Sequence, residues 1–206
     1  MAKKNQIIEG IVSHSIFPNK GVVYYEEQPI YVTGAFKGQH IKARLFKRKK
    51  GTWEAQLLEV LENPTYFVEA PCSYFGMCGG CSAQNLDYDE QIHLKHEQVK
   101  ELLTKAGISD YEDLGVIGSP EALAYRNKME FSFGDEVKDG PMTLGMHRKH
   151  STYDVITVDG CLLVDEDFST ILRTILDYCK DNDLNYYKKM QHTGFMRYVV
   201  IRKSIT

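Results

Sequence analysis

The sequence predicts a mixed fold: a small all-β barrel over residues 1–63, followed by an α+β domain built on an antiparallel sheet over residues 64–206. Three observations lead there. The first sixty positions are filled by short segments with the two-residue period of half-buried strands, and no helical repeat interrupts them. Asn63-Pro64 then closes the run. Beyond it, apolar residues recur at three and four in two segments, the period of a helix face, and alternation returns between and after them.

The barrel strands are expected at residues 7–13, 21–26, 30–33, from 38 onward, and 53–61. In the fourth, Ile41, Ala43 and Leu45 alternate inward with Lys42 and Arg44 outward; Lys49-Lys50-Gly51 turns the chain, and Ala55, Leu57 and Val60 carry the return. Five short strands with turn residues between them suggest closure into an oligonucleotide-binding type of barrel, a binding module rather than a catalyst. In the second domain, Asp87-Tyr88-Asp89 starts a helix that ends near Ala106 at Gly107, with Ile92, Val99, Leu102, Leu103 and Ala106 as its apolar stripe. His96 is in line with that stripe and His93 is expected outside it. Strands are expected at 125–134, 144–150, 153–158 and 196–201. A second helix over 167–183 repeats Phe168, Ile171, Leu172, Ile175, Leu176 and Cys179. The chain stops just past the last strand, so the second domain reads as interrupted.

Composition bounds the function. The 206 residues have 43% hydrophobic and 26% charged content, ordinary for a globular protein, and no apolar run is long enough for a membrane span. The first residues lack the apolar core of a signal peptide, which makes the cytoplasm the expected compartment. A monomer is the expected state. Of 25 Lys and Arg residues, seven lie in the acid-free stretch 37–53, leaving 18 against 28 acidic residues elsewhere. A second acid-free stretch, 184–206, holds Lys188, Lys189, Arg197, Arg202 and Lys203. Positive charge localised on an acidic chain suits a polyanion. The candidate contacts are Lys47, Arg48, Lys49 and Lys50 on the barrel, with Arg126, Lys128, Arg148 and Arg197 on the second domain; Phe195 and Tyr198 are candidate base-stacking residues.

The densest chemistry is at residues 71–84, where Cys72, Cys78 and Cys81 are spaced C-x5-C-x2-C around Gly79-Gly80. Glycines there permit positive φ and close backbone approach. In a cytosolic chain, three clustered cysteines out of an odd five point to a metal rather than to disulfides. The fourth ligand is Cys161 or Cys179. Cys179 falls on the apolar stripe of the second helix, whereas Cys161 follows Asp159-Gly160 in a loop, so the set is Cys72, Cys78, Cys81 and Cys161. Four thiolates suit zinc or an iron–sulfur cluster, and the three-plus-one layout leaves both open.

These residues resemble the RNA uracil-C5 methyltransferases that make 5-methyluridine in transfer and ribosomal RNA. The resemblance spans essentially the whole chain. Residues 7–62, with Gly38-Gln39 and Leu57-Leu58-Glu59-Val60-Leu61, look like the family's TRAM domain. C-x5-C-G-G-C-x2-Q at Cys72 to Gln84 and Asp159-Gly160-Cys161-Leu162-Leu163 resemble its cluster motif. Tyr125-Arg126-Asn127-Lys128 and Gly194-Phe195-Met196-Arg197 resemble its central-domain signatures. The resemblance implies a [4Fe–4S] cluster in preference to zinc, and rRNA or tRNA as partner. It also implies a Rossmann-like methyltransferase domain with S-adenosylmethionine and a nucleophilic cysteine. No glycine-rich strand–turn–helix of that kind is visible in residues 1–206, so the expectation is a chain without the methyltransferase fold and not itself catalytic, the missing C-terminal domain being its partner. A stand-alone cluster-bearing RNA-binding or electron-transfer module is the alternative.

Overall fold

The structure is a computed structural model that describes residues 2–49 and 51–204. Its contacts divide the chain into two compact units, Met1–Glu69 with Asn85–Gly118, and Ala70–Gln84 with Ser119–Thr206. A cut after residue 63 is therefore not where the contacts divide. The bridge between Phe67 and Leu86, with the bonds from Val68 N–H to the Asn85 carbonyl and Asp87 N–H to the Tyr66 carbonyl, holds the following helix with the first unit.

Among its described residues the first unit holds six strands: β1 (Ile7–Ile11), β2 (His14–Ile16), β3 (Lys20–Tyr25), β4 (Gln28–Thr33), β5 (His40–Lys49) and β6 (Thr52–Glu62). They form one sheet in the order β1-β5-β6-β4-β3-β2, all neighbours antiparallel except β4 and β6. The strand expected at 7–13 ends at Ile11, and a further strand, β2, follows at His14–Ile16 where none was expected. After Ile11 the chain leaves β5, Ser13 N–H bonds the Val22 carbonyl, and His14 begins pairing with β3. The sheet is curled, with β1 packed on β3, but among the described residues edge strands β1 and β2 are not paired with each other, so the hydrogen-bonded closure expected is not found among them. Its concave side buries Val12, Val23, Ile30, Val32, Ile41, Leu45 and Trp53. Gln39 is buried beside them; its Oε1 accepts from Phe36 N–H and its amide donates to Asn63.

Helix α1 (Tyr88–Lys105) also belongs to this unit. Its N-cap is Asp87, whose carboxylate accepts from Asp89 N–H at 3.0 Å, and Gly107 follows the C-cap at φ 73°. The apolar stripe is not buried as expected: Val99 is 54% and Leu102 44% exposed, and Gln98 is the buried residue. A three-four repeat identifies the apolar face of a helix without saying that anything covers it.

The second unit has a four-stranded antiparallel sheet in the order β10-β7-β8-β9, from β7 (Lys128–Asp135), β8 (Met142–His147), β9 (Val155–Thr157) and β10 (Tyr198–Arg202). Helix α2 (Glu166–Asp181) packs on β8. Phe168, Leu172, Leu176 and Cys179 meet Met129, Phe131, Phe133 and Leu144 in one core, and Lys203 bridges Asp165 (2.9 Å) and Asp167 (2.7 Å) at the start of α2. Among the described residues, no helix is long and apolar enough to cross a membrane.

Candidate cluster site and nucleic-acid contacts

Cys72, Cys78, Cys81 and Cys161 line a single small pocket with Tyr74, Phe75, Gln84, Arg126, Met129 and Met146. All four are half-buried free thiols, whereas Cys179 is 1% exposed in the core under α2. The 72–81 loop folds over its own turns: Phe75 N–H bonds the Cys72 carbonyl and Cys78 N–H that of Tyr74. It is then pinned to the 147–149 turn by Gly79 N–H to the His147 carbonyl, Lys149 N–H to the Met77 carbonyl, and a bridge between Cys78 and Arg148. Tyr74 reaches the other cysteine loop, its hydroxyl donating to Asp159 Oδ1 at 2.6 Å, two residues before Cys161.

The glycines work differently from expectation. Neither Gly79 nor Gly80 has a positive φ; Gly76 does, at 89°. Their role is close approach, since a Cβ on Gly79 would stand 3.1 Å from the His147 carbonyl oxygen and one on Gly80 3.4 Å from Cys78 Sγ. Gly80 N–H and the Gln84 side-chain amide donate to the sulfurs of Cys78 (3.3 Å) and Cys81 (3.2 Å).

Burial pushes the Cys81 and Cys161 thiols up from their ordinary value. The Gln84 bond to Cys81 and the Leu163 backbone bond to Cys161 oppose this, while the neighbouring thiols of the set push the same way and the Arg126 charge eases Cys161. Buried thiols such as these two become thiolates when positive charge is placed beside them. The donor set and its N–H···S bonds thus fit a thiolate-ligated group. Among the described residues, no group of three or more His, Cys, Asp or Glu side chains is placed to hold a metal ion.

The cationic residues separate into distinct settings. Lys47, Arg48 and Lys49 are exposed along the end of β5; Lys50 lies outside the described residues. Lys128 opens β7, exposed. Arg148 is paired with Glu136 at 2.5 Å, and Arg126 borders the cysteines with Nη1 3.9 Å from Met129 Sδ. Arg197 lies 3.5 Å over the Tyr187 ring, and Phe195 (83%) and Tyr198 (58%) are exposed beside it. The Tyr74–Asp159 and Tyr187–Arg197 pairs are additions to the residues read from sequence. Both involve a member of a quoted motif, which is the signal that could have pointed to them.

No protein-family model matches the chain. An uncharacterized RNA methyltransferase of Clostridium acetobutylicum is 42% identical over 204 residues, 99% of this chain and 45% of the relative. Another, from Caldanaerobacter subterraneus subsp. tengcongensis, is 42% identical over 201 residues, 98% of this chain and 44% of the relative. The chain spans somewhat under half the length of these curated relatives. Among solved structures, the Pyrococcus abyssi tRNA (uracil-54, C5)-methyltransferase in complex with S-adenosyl-L-homocysteine matches with a TM-score of 0.71 and 21% identity, over 95% of this chain and 42% of that one.

That likeness corrects the expectation of a chain without a methyltransferase fold: 95% of the chain takes a fold found in a methyltransferase. The expectation rested on one missing glycine-rich turn. One missing motif does not exclude the fold.

Proposed function

We propose that this chain is the RNA-holding, iron–sulfur-carrying part of an S-adenosylmethionine-dependent RNA (uracil-C5) methyltransferase acting on tRNA or rRNA in the cytoplasm. The observation that carries this reading is the pocket in which Cys72, Cys78, Cys81 and Cys161 meet, although Cys161 lies some eighty residues from the others. The named RNA methyltransferases it resembles over nearly its full length support it. Four thiolates suit a zinc ion or a [4Fe–4S] cluster, which takes one thiolate per iron, and the resemblance of the Cys72 to Gln84 motif to that of the uracil-C5 methyltransferases is what favours the cluster. When bound, it would neutralise the thiolates and tie the 72–81 and 161 loops together. Gln84 and Gly80 orient the sulfurs, Tyr74 holds the Asp159 loop in place, and Arg126 adds the nearest cationic side chain.

Methylation at uracil C5 needs a thiolate added at C6 before C5 becomes nucleophilic, then a base to remove the C5 proton. All five cysteines of the chain are described; four form the cluster set and Cys179 is core, so in this reading the chain's own task is RNA holding. The test is fluorescence anisotropy of the purified chain with a labelled single-stranded RNA across a salt series. Affinity should fall steeply with salt. Lys47→Glu/Arg48→Glu/Lys49→Glu should weaken binding at low salt and flatten the log–log slope by roughly 2, about 0.7 for each phosphate of a single strand left without its cation. Affinity unchanged by the triple reversal contradicts the barrel's part in this reading.

A further inference from the structure

The second unit contains a cavity of about 800 Å³, formed on one side by β7, the end of β8 and residues 153–155, and on the other by residues 186–191 and 197–198. That volume lies within the ~300–1,000 Å³ range of small-ligand sites. None of the cysteines lines it. We propose that this cavity receives one unpaired nucleotide of RNA, its base stacked on the Tyr187–Arg197 platform and its phosphate at Lys189; the proposal rests on the RNA-holding reading above and locates it.

The platform is built before any ligand arrives. Tyr187 is fixed at both ends: its N–H bonds the Met196 carbonyl at 2.8 Å, and its hydroxyl shares a hydrogen bond with His192 Nδ1 at 2.9 Å. Arg197 Cζ stands over it at 3.5 Å from the ring centre and the residue is exposed, which leaves room beside the guanidinium for a second planar group. A base supplies such a group whatever its identity, because every base has a π-face. Tyr186 and Lys188 of the same wall are tied to Asp135 (2.7 Å) and Asp139 (2.6 Å), so the wall is anchored to the end of β7 and the turn after it. Lys189 beside them is exposed at the rim.

A further observation points to a polyanion. The platform belongs to residues 184–206, the stretch with five Lys and Arg residues and no acid; Lys188 and Lys203 of these are paired with aspartates, which leaves Lys189, Arg197 and Arg202 to meet the phosphates on either side of the bound nucleotide. A concave aromatic site cannot admit bases stacked inside an A-form duplex. It selects loops, bulges and ends, where a base is free to splay out.

Anisotropy with a labelled 12-nucleotide single-stranded RNA and with the matching 12-base-pair duplex tests this. Tyr187→Ala should weaken single-strand binding about tenfold, the scale of one lost base stack, with duplex binding unchanged. Tyr187→Phe, which keeps the ring and loses only the His192 bond, should bind as the parent does. Tyr198→Ala, at a position 58% exposed, is a second variant of the same wall that leaves the core intact and should also weaken the single strand selectively. In a 5-bromouridine version of the strand, photocrosslinks should map to residues 186–198. If the barrel triple reversal abolishes RNA binding while Tyr187→Ala and Tyr198→Ala leave the single strand untouched, the pocket proposal fails and the RNA reading stands. If the parent chain binds neither RNA, both fail. Free uridine monophosphate held as tightly as the 12-mer overturns the assignment in favour of a small-nucleotide site.

Discussion

Gly194 shows how much a single position can hold in this chain. Its φ is 95°, and a Cβ there would run into the Tyr186 carbonyl oxygen. It is the point at which residues 185–187 and 193–196 come together, through Phe195 N–H to the Asn185 carbonyl and Tyr187 N–H to the Met196 carbonyl. Gly194→Ala should therefore destabilise the chain by more than about 1 kcal/mol, since it adds a clash to a left-handed backbone, and a denaturant melt would register it. Leu172→Ala, on the fully buried face of α2, should cost about 2–5 kcal/mol by the same measurement. At this scale the sequence is uneven as a guide. Cys179 was separable from Cys161 because helical periodicity marks a buried stripe. The Tyr74–Asp159 bond joins residues 85 apart and leaves no local pattern to read. Tyr74→Phe should lower stability by about 1 kcal/mol, with melting temperature as the readout.

Individual elements were legible where their signals are local. Asp87 and Gly107 bracket α1 as their residue types suggest, and the stripe of α2 is buried through Phe168, Leu172, Leu176 and Cys179. What could not be read is long-range: the separate strand β2 after β1, the parallel pairing of β4 with β6, and the exposure of the α1 stripe all depend on which segments meet. The loop after α1 offers a pH test of such a contact. Asp113 accepts from Gly115 N–H at 2.9 Å and bonds His96 at 2.8 Å, and these, the Gly115 bond first, hold its carboxyl below its ordinary 3.8. Because the folded value is the lower one, the tie contributes at any pH above 3.8 and is lost as pH falls through the depressed value. Protection of the Gly115 amide from hydrogen exchange should persist down to that point and disappear below it. Loss of protection already at pH 6 would contradict the role given to the carboxylate.

For the molecule as a whole, two compact units divide the proposed labour: an exposed cationic strand end in the first, and a four-cysteine pocket with a separate aromatic cavity in the second. The cysteine pocket was the most legible part of the candidate site, because ligand chemistry restricts both residue type and loop placement. The phosphate contacts were the least, since a lysine on a surface looks the same in sequence whether it meets RNA, an aspartate or water. Here Arg148 pairs with Glu136 and Arg126 borders the cysteines, neither of which its spacing could say.

The central claim is a cluster held by Cys72, Cys78, Cys81 and Cys161, and its most direct measurement is iron and acid-labile sulfide per chain after anaerobic purification, in the parent protein, Cys161→Ala and Cys179→Ala. About four irons and four sulfides in the parent and in Cys179→Ala, with loss in Cys161→Ala, is the predicted result. One zinc and no iron in the parent, or iron content indifferent to Cys161→Ala, would contradict it.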